Sequence, residues 1–424
     1  MISKIVRIVL VFTIISLLQS CAPSENDNAA STADRVSFLA FGDSGYDYRF
    51  NEIEQATDLN ETEEEFINQR RRKWLKKGYP AYDFHAPPRD YIASLKSYVE
   101  ASGLFPVADA MHDFCLKGSC DFALMLGDNI YPDGATLGAD GVDDAERFDR
   151  LLKQPFGKMA RLGEDFRIYA TLGNHDWNTS RGGAMAQVEY LQSTPPFYMN
   201  GVSYSIVPEA ANGLVELFVV DTEILLATTK VFEDKLNSDG TEQPTTEISP
   251  PLPWTKPTNK KELEMLGWLE QSLQSSNAKL KIVIGHHPLW SSGGTKFTQA
   301  RALREIIIPT LCKYADAYIA GHEHSLEIHE DDCSRGSNED LVPPLTTIVS
   351  GAGAKQRAVN QGFLRQQIAN NRELKTIWSK GMVWGFSHVE LFGDTARIKM
   401  YSTDNRQEQN LTLEFDHQFK HRSE

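Results

Sequence analysis

Short apolar runs alternate with helical patterns along most of the chain. Runs of six or seven residues, followed by Gly and polar residues, are typical of buried strands. They predict strands at 35–41, 121–126, 166–172, 214–220, 280–285 and 315–320. Between the runs, the pattern predicts helices at 90–101, 144–160, 183–193, 259–276 and 297–314. In the segment KKELEMLGWLEQSL, for example, apolar residues recur at i, i+3, i+4 and i+7.

This alternation of strands and helices predicts an α/β fold with buried sheets. The C-terminal part has a different pattern, because LTTIVSGAG, SHVELFGDTARIKMYS and LTLEFD read as strands with few helices between them. The FGDT sequence between two apolar runs predicts a hairpin turn.

The first 20 residues have the pattern of an export signal. Two basic residues precede an apolar run of 11 residues, 8–18, which is too short to span a bilayer as a mature helix. The LQSC sequence resembles a bacterial lipobox that ends at Cys21. We therefore expect cleavage after residues 1–20 and a lipid on Cys21, which would anchor the exported protein in the cell envelope, on the outer-membrane or periplasmic side. An ordinary secretory signal with an incidental cysteine is the alternative.

Charge and domain organisation limit the possible functions. The whole chain has a formal charge of −15, and loss of residues 1–20 removes two positive charges, leaving −17. Such an acidic protein is not expected to present a nucleic-acid-binding surface, and an anionic substrate must be attracted locally. Residues 21–34 are small and polar and predict a flexible tether. Residues 35–424 are expected to form one domain, with surface insertions at about 46–89 and 223–258.

Four cysteines follow the predicted export signal: Cys115, Cys120, Cys312 and Cys333. Three disulfide connectivities are possible in an exported protein. Proximity in sequence favours pairing Cys115 with Cys120 and Cys312 with Cys333, and free buried thiols are the alternative. The chain has no Cys-x-x-Cys pair, which argues against a thiolate zinc site.

Polar side chains that can ligate metals follow each of the six predicted strands. They are Asp43 in GDSG; Asp128 and Tyr131 in GDNIY; Asn174, His175 and Asp176 in GNHD; Asp221 after LFVV; His286 and His287 in GHHP; and His322 and His324 in GHEH. In α/β folds, active sites form at the carboxyl ends of strands. A single motif of this kind is often only a turn, but the whole series is hard to explain as independent turns.

The types of side chain in this series indicate which metal ions they would bind. They offer oxygen and nitrogen donors without a thiolate, and such donors suit iron, zinc or manganese. A carboxylate has two oxygens and can bridge two ions, whereas a phenolate is a hard anionic donor that favours Fe(III). The sequence therefore predicts that Tyr131 holds trivalent iron beside a bridging Asp128.

The order GD-x-G, GD-x-x-Y, GNHD, GH-x-P and GH-x-H resembles that of the calcineurin-like metallophosphoesterases. Among them it is similar to the purple acid phosphatases, in particular the short tartrate-resistant (type 5) enzymes. Most metallophosphoesterases have Asp-x-His at the first motif; here the third residue is Gly45, and the resemblance implies that Tyr131 would supply the missing ligand. The resemblance covers most of residues 35–404 apart from the two insertions. It implies a four-layer αββα sandwich of two mixed β-sheets flanked by helices.

The resemblance also implies two metal sites. Four side chains would hold Fe(III): Asp43, Asp128, Tyr131 and His324. Four would hold a second metal, which could be Fe(II), Zn(II) or Mn(II): Asp128, Asn174, His286 and His322. His287 occupies a position where the mammalian-type enzymes carry tyrosine, so it is assigned no role.

The function implied by this resemblance is that of a dimetal phosphomonoesterase, an acid phosphatase acting on small phosphate esters. A metal-bound hydroxide would attack phosphorus, and His175 would protonate the leaving group as general acid. The alternative role for His175 is a structural hydrogen bond to Asn174 or to a backbone carbonyl. Asp176 and Asp221 are expected to orient their neighbours, and the insertion 46–89 could be a lid. A phosphodiesterase or nucleotide phosphohydrolase on the same site, and a protein that has lost the chemistry, are the alternative functions. The sequence gives no indication of the oligomeric state.

Overall fold

A computed structural model describes residues 35–50, 60–118, 120–237, 239–249, 252–294, 296–334, 343–393, 395–403 and 411–420. The predicted export signal, the predicted lipid site Cys21 and the predicted tether lie outside these ranges, so they stay predictions. None of the helices within these ranges is both long and apolar enough to cross a membrane.

The strands of the described ranges form two large sheets and three small two-stranded ones. In chain order they are Arg35–Phe41 (β1), Arg89–Ile92 (β2), Ser97–Glu100 (β3), Phe122–Leu126 (β4), Ile168–Thr171 (β5), Phe197–Tyr198 (β6), Tyr204–Ile206 (β7), Val215–Val219 (β8), Val231–Phe232 (β9), Lys235–Leu236 (β10), Glu242–Gln243 (β11), Ile248–Ser249 (β12), Leu280–Ile284 (β13), Ala317–Ala320 (β14), Leu326–Asp331 (β15), Leu345–Ser350 (β16), Leu374–Lys380 (β17), Trp384–Phe392 (β18), Thr395–Thr403 (β19) and Leu411–Lys420 (β20).

The α-helices connect these strands or cover the sheets. They are Glu63–Lys76 (α1), Leu104–Lys117 (α2), Asp144–Phe148 (α3), Gln154–Phe156 (α4), Asn174–Trp177 (α5), Arg181–Ser193 (α6), Thr222–Leu226 (α7), Lys260–Leu263 (α8), Met265–Ser275 (α9), Phe297–Tyr314 (α10) and Gln361–Asn370 (α11). A π-helical turn at Asp149–Lys153 joins α3 to α4, and short 3-10 turns lie at Ala81–Asp83, Gly157–Arg161, Glu209–Ala211 and Pro253–Thr255.

Both large sheets are mixed. The first has the order β20-β19-β18-β1-β4-β5-β6, in which β1, β4, β5 and β6 run parallel and β18 to β20 are antiparallel. The second has the order β17-β15-β16-β14-β13-β8-β7, with β8, β13, β14 and β16 parallel. Strands buried on both faces, such as β4 with its sequence FALML, are apolar throughout because neither face meets water.

The two sheets pack face to face and helices cover their outer sides. Strand β18 contacts β15 and β16, and the Ser350 hydroxyl at the end of β16 donates to the Ala40 carbonyl of β1 at 2.7 Å. Helix α2 packs on β18 and β19, α9 on β8, and α11 on β17. The predicted α/β sandwich of two mixed sheets flanked by helices is therefore confirmed.

One predicted helix is wrong. Residues 90–101 form most of the β2–β3 hairpin, in which Tyr91 pairs with Tyr98 and their ring centroids lie 5.2 Å apart. Cross-strand aromatic pairs stabilise a hairpin, and this contribution is absent if the same residues form a helix. The hairpin predicted at FGDT is formed by β18 and β19.

Sequence reasoning also missed helices α1, α2 and α11. For α1 a local signal was present, because Thr62 and Glu65 form a capping box. The Thr62 hydroxyl accepts from the Glu65 amide at 3.3 Å, and the Glu65 carboxylate accepts from the Thr62 amide at 2.8 Å. This helix lies within the predicted insertion 46–89, whereas the described parts of 223–258 contain the two-residue strands β9 to β12.

Both disulfides favoured by proximity are formed. Cys115 is bonded to Cys120 and Cys312 to Cys333, with Cα atoms 5.2 and 5.6 Å apart. The predicted pairing is confirmed.

Candidate metal centre

The predicted ligands lie at one edge shared by the two large sheets. Asp43 and Asp128 follow β1 and β4 of the first sheet by two residues, and Asn174 begins α5 just after β5. His286 and His322 follow β13 and β14 of the second sheet in the same way. Parallel strands in register end together, so side chains that are distant in sequence meet at this edge.

The first group of donors surrounds the phenolic oxygen of Tyr131. This atom lies 3.0 Å from Oδ1 of Asp43, 2.9 Å from Oδ2 of Asp128 and 3.2 Å from Nε2 of His324. His324 Nε2 is also 3.4 Å from Asp43 Oδ1. All four side chains are buried, and the phenolic oxygen lies within 3.2 Å of a donor atom of each of the other three.

The second group surrounds Nε2 of His286. This atom lies 3.2 Å from Oδ1 of Asp128, 3.3 Å from Oδ1 of Asn174 and 3.1 Å from Nδ1 of His322. The other ring nitrogen of His286 donates to the Leu126 carbonyl at 2.8 Å, which orients Nε2 towards the group. Asp128 contributes one oxygen to each group, as a bridging carboxylate must.

The backbone at this edge is strained. Asp43, Asp128 and His322 have φ angles of +55°, +52° and +70°, in the left-handed region that non-glycine residues rarely adopt. The conformation is held by two hydrogen bonds, one from the Asp43 amide to the Gly127 carbonyl at 3.0 Å and one from the His322 amide to Asp43 Oδ2 at 2.6 Å. Strain of this kind concentrates at functional sites.

The electrostatics of the two groups indicate a need for positive charge. Burial, reinforced by the charge of Asp128, raises the pKa of Asp43 to about 8. Burial also opposes ionisation of Asp128, but the charges of His286 and His175 hold its pKa well below the ordinary value. Burial and the neighbouring carboxylates raise the pKa of Tyr131 well above its usual range. Without cations, the side chains therefore cannot all be in the deprotonated form that metal ligands require.

The residues present fit a pair of metal ions. Nε2 of His322 is buried and has no hydrogen-bond partner among the described residues. A Cβ atom at Gly173 would lie 2.3 Å from Asp128 Oδ1, so the glycine lets the backbone approach the shared carboxylate. The oxygen and nitrogen donors match the preferences of iron, zinc and manganese.

Asp176 connects the loops that carry Asp128 and Asn174. Its carboxylate accepts from the amides of Asn129 and Ile130, each at 3.0 Å, and from the amide of Gly173 at 2.7 Å. The side chain is buried, and these hydrogen bonds fix the two loops relative to each other.

Asp221 and His287 are buried and contact residues of helices α5 and α7. Asp221 accepts from the Trp177 indole at 2.9 Å and caps helix α7. His287 Nδ1 lies 2.8 Å from the Thr222 hydroxyl oxygen, and its ring centroid lies 4.5 Å from that of His322. His287 therefore packs against His322 of the second group of donors.

His175 lies on the open side of the site, with a side chain that is 33% exposed. Its Nδ1 contacts the Pro132 carbonyl oxygen, its ring centroid is 4.3 Å from that of Tyr131, and its Nε2 is 3.9 Å from Oδ2 of Asp128. A proton on Nε2 would therefore face any group held at the two sets of donors.

A cavity of about 560 Å³ opens over the site and includes two cations that sequence reasoning missed, Lys355 and Arg357. The Arg357 amide donates to the His324 carbonyl at 2.9 Å, and its guanidinium lies 2.6 Å from Glu323 Oε2. The glycine-rich GAGAKQR sequence at the end of β16 was the available signal, because glycines at strand ends allow close approach to a site.

Comparison with known proteins agrees with this geometry. Residues 36–326 match the family model described as calcineurin-like phosphoesterase. The chain is 26% identical over 282 residues to tartrate-resistant acid phosphatase type 5 of Mus musculus, covering 64% of this chain and 72% of that protein. It is 31% identical over 241 residues to purple acid phosphatase 17 of Arabidopsis thaliana, covering 56% and 60%.

A solved structure shows the same fold. GAP50, the anchor in the inner membrane complex of Plasmodium, superposes with a TM-score of 0.55 over 92% of this chain and 90% of that one, at 15% identity. At this identity the likeness concerns the fold alone.

The family match includes more than half of the chain and all seven predicted ligands. Its purple acid phosphatase relatives imply a dimetal site and metal-dependent hydrolysis of phosphoric esters. This chain therefore belongs to the calcineurin-like phosphoesterase family and is a metal-dependent phosphoric ester hydrolase.

Proposed function

We propose that the protein is an acid phosphatase that hydrolyses phosphomonoesters with an Fe(III) ion and a second divalent ion, Fe(II), Zn(II) or Mn(II). The contact of the Tyr131 phenolic oxygen with Asp43, Asp128 and His324 carries the proposal. A phenolate in a buried set of hard donors favours a trivalent ion. Such an ion supplies the positive charge that burial of these acidic groups requires.

Seven side chains would hold the two ions. Fe(III) would be held by Asp43, Asp128, Tyr131 and His324, and the divalent ion by Asp128, Asn174, His286 and His322. When bound, the pair supplies the Lewis-acid charge that fixes a phosphate group and activates the attacking water. The net negative charge of the protein therefore does not prevent an anionic ester from binding.

His175 would be the general acid. Its Nδ1 is held by the Pro132 carbonyl, which fixes the ring with Nε2 directed towards the site. Nε2 would give its proton to the oxygen of the leaving alcohol as the ester bond breaks, and the exposed edge of the ring allows reprotonation from solvent. Proton transfer from His175 matters only for esters whose alcohol is a poor leaving group unless it is protonated.

The proposal is tested on purified protein by elemental analysis, a visible spectrum and a paired assay. We expect two metal ions per chain including iron, a visible absorption band from tyrosinate bound to Fe(III), and higher kcat/KM for p-nitrophenyl phosphate than for bis(p-nitrophenyl) phosphate. A higher kcat/KM for the diester would indicate a phosphodiesterase on the same site. Metal-loaded protein without activity on either ester would refute the proposed catalysis.

We also propose that the chain is exported and anchored through a lipid on Cys21. The two disulfides support export, since such bonds persist mainly outside the reducing cytoplasm. Cell fractionation of the wild type should place the protein in the membrane fraction, and Cys21→Ser should release it from that fraction. A wild-type protein found in the cytoplasmic fraction would refute the proposal.

A further inference from the structure

One wall of the cavity over the metal centre is built by residues that hold no metal. Part of it comes from the predicted insertion 46–89, through one face of helix α1, and part from the segment 355–358 after β16. Tyr131, His175 and His324 of the metal centre also line the cavity. At about 560 Å³, the cavity has the size of a small-molecule site and is larger than one phosphate group requires.

This wall is rich in positive charge although the protein is acidic. The cavity is lined by the cations Arg70, Lys73, Lys77, Lys355 and Arg357 and by the carboxylates Glu61 and Glu100. Five cations face two carboxylates in a chain whose formal charge is −15. A local field of this sign attracts an anion that the rest of the surface repels.

Two cations of α1, Arg70 and Lys73, and Lys77, the residue directly after the helix, lie on one side of it. Arg70, Lys73 and Lys77 are spaced at i, i+3 and i+7, so they follow one stripe that faces the cavity. Lys76, in the same helical turn as Lys77, does not line the cavity. The insertion therefore presents a basic face to the active site.

The positive charge extends from α1 to the edge of the metal centre. The Lys355 ammonium lies 4.3 Å from the ring centroid of Tyr46 and 5.2 Å from that of Tyr131. Arg70 lies 3.6 Å from Glu100 and Arg357 lies 2.6 Å from Glu323, so each of these two cations is paired with a carboxylate. Lys77 forms no ion pair with a carboxylate of the described ranges.

We propose that this wall is a second anion-binding subsite, and that the preferred substrates are phosphate esters whose leaving group carries another phosphate. The inference rests on the proposed phosphatase activity and specifies its substrate class. One phosphate would lie at the metal centre, and the other between Lys73 of α1, Lys77 directly after that helix, and Lys355. Ammonium groups pair with phosphate through short, charge-assisted hydrogen bonds.

A matched series of substrates tests this subsite. Hydrolysis of linear alkanediol monophosphates with two to six carbons is compared with that of the corresponding α,ω-bisphosphates, which break the same type of ester bond. For the wild type we expect kcat/KM to be about tenfold higher for the best bisphosphate than for its monophosphate, the size of effect that one such charge pair supports. The number of carbons in the bisphosphate with the highest kcat/KM indicates the distance between the two anion sites.

Single-residue variants test whether the preference for bisphosphates comes from the lysines of the cavity wall. Lys77→Gln and, separately, Lys73→Gln should each lower the ratio of bisphosphate to monophosphate kcat/KM by about threefold, because the two lysines share the preference. Lys76→Gln removes the same charge from the same helical turn and should leave that ratio unchanged. Thermal unfolding of each variant shows that it is folded.

The possible results distinguish the absence of the anion subsite from the absence of phosphatase activity. If the wild type hydrolyses monophosphates but shows no preference for any bisphosphate, the subsite is refuted and the phosphatase function stands. An equal loss in Lys76→Gln and Lys77→Gln would mean that only net charge attracts the substrate, which also refutes the subsite. Absence of hydrolysis of every ester by metal-loaded protein would refute the phosphatase function itself.

Discussion

Replacing His175 with alanine would separate proton transfer from metal-assisted binding. The substitution removes the imidazole, whose Nδ1 contacts the Pro132 carbonyl and whose Nε2 faces the site. It keeps the backbone amide of residue 175, which donates to Asp128 Oδ1 at 2.9 Å. The shared carboxylate therefore retains this hydrogen bond, and the variant tests the side chain alone.

Two effects of very different size are lost with the ring. Proton donation by a positioned general acid contributes about 10²–10⁴-fold in rate, or about 2.7–5.5 kcal/mol of transition-state stabilisation. The electrostatic contact of Nε2 with Asp128, at 3.9 Å and with His175 33% exposed, contributes no more than about 1 kcal/mol, or about fivefold. The proton-transfer effect should therefore dominate wherever the leaving group needs a proton.

The assay compares kcat/KM for an alkyl phosphate with that for p-nitrophenyl phosphate, whose leaving group needs no proton. For His175→Ala we expect a loss of at least about 100-fold on the alkyl ester and of no more than about fivefold on the aryl ester. Asn178→Ala is the matched control, because Nδ2 of Asn178 donates to the same Pro132 carbonyl at 3.4 Å but an amide is too weak an acid to protonate a leaving group. Equal losses on both esters would refute the general-acid role.

Three further predictions follow from the metal centre and the core. Tyr131→Phe should abolish visible absorption of the iron-loaded protein, and a persisting purple colour would show that this phenol is not the iron ligand. Gly173→Ala should lower metal affinity in a metal titration at least about tenfold, because the new Cβ would lie 2.3 Å from an oxygen of the shared carboxylate, whereas Gly163→Ala, with open space around its Cβ, should not. Burial lowers the pKa of His388 to about 4 in the folded protein. Below about pH 6.5 the unfolded chain therefore binds a proton at His388 that the folded protein does not bind. The free energy of unfolding should fall by about 3 kcal/mol between about pH 6.5 and pH 4. Chemical denaturation across that range should show a shallower fall for His388→Gln, and an unchanged slope would contradict the assignment.

The local patterns predicted the parallel strands well, because their burial on both faces leaves a continuous apolar run. The run 35–41 is β1 as predicted, and 280–285 differs from β13 by one residue. The helix at 297–314 was also predicted with its observed bounds. The prediction at 90–101 failed because the pairing of Tyr91 with Tyr98 depends on a second strand, which the helical pattern of one segment does not reveal.

The sequence by itself determined the set of donors and their places at the ends of strands, since each motif is local and begins with a glycine turn. Only the tertiary structure decided which donors meet. The His322 amide and the Asp43 carboxylate are 279 positions apart in the chain and 2.6 Å apart in space. The same holds for the basic face of α1, whose cations act on the site only because the insertion folds over it. The electrostatic energy between two charged groups depends on the distance between them and on how deeply they are buried. The packing and register of the two sheets set this distance and this burial.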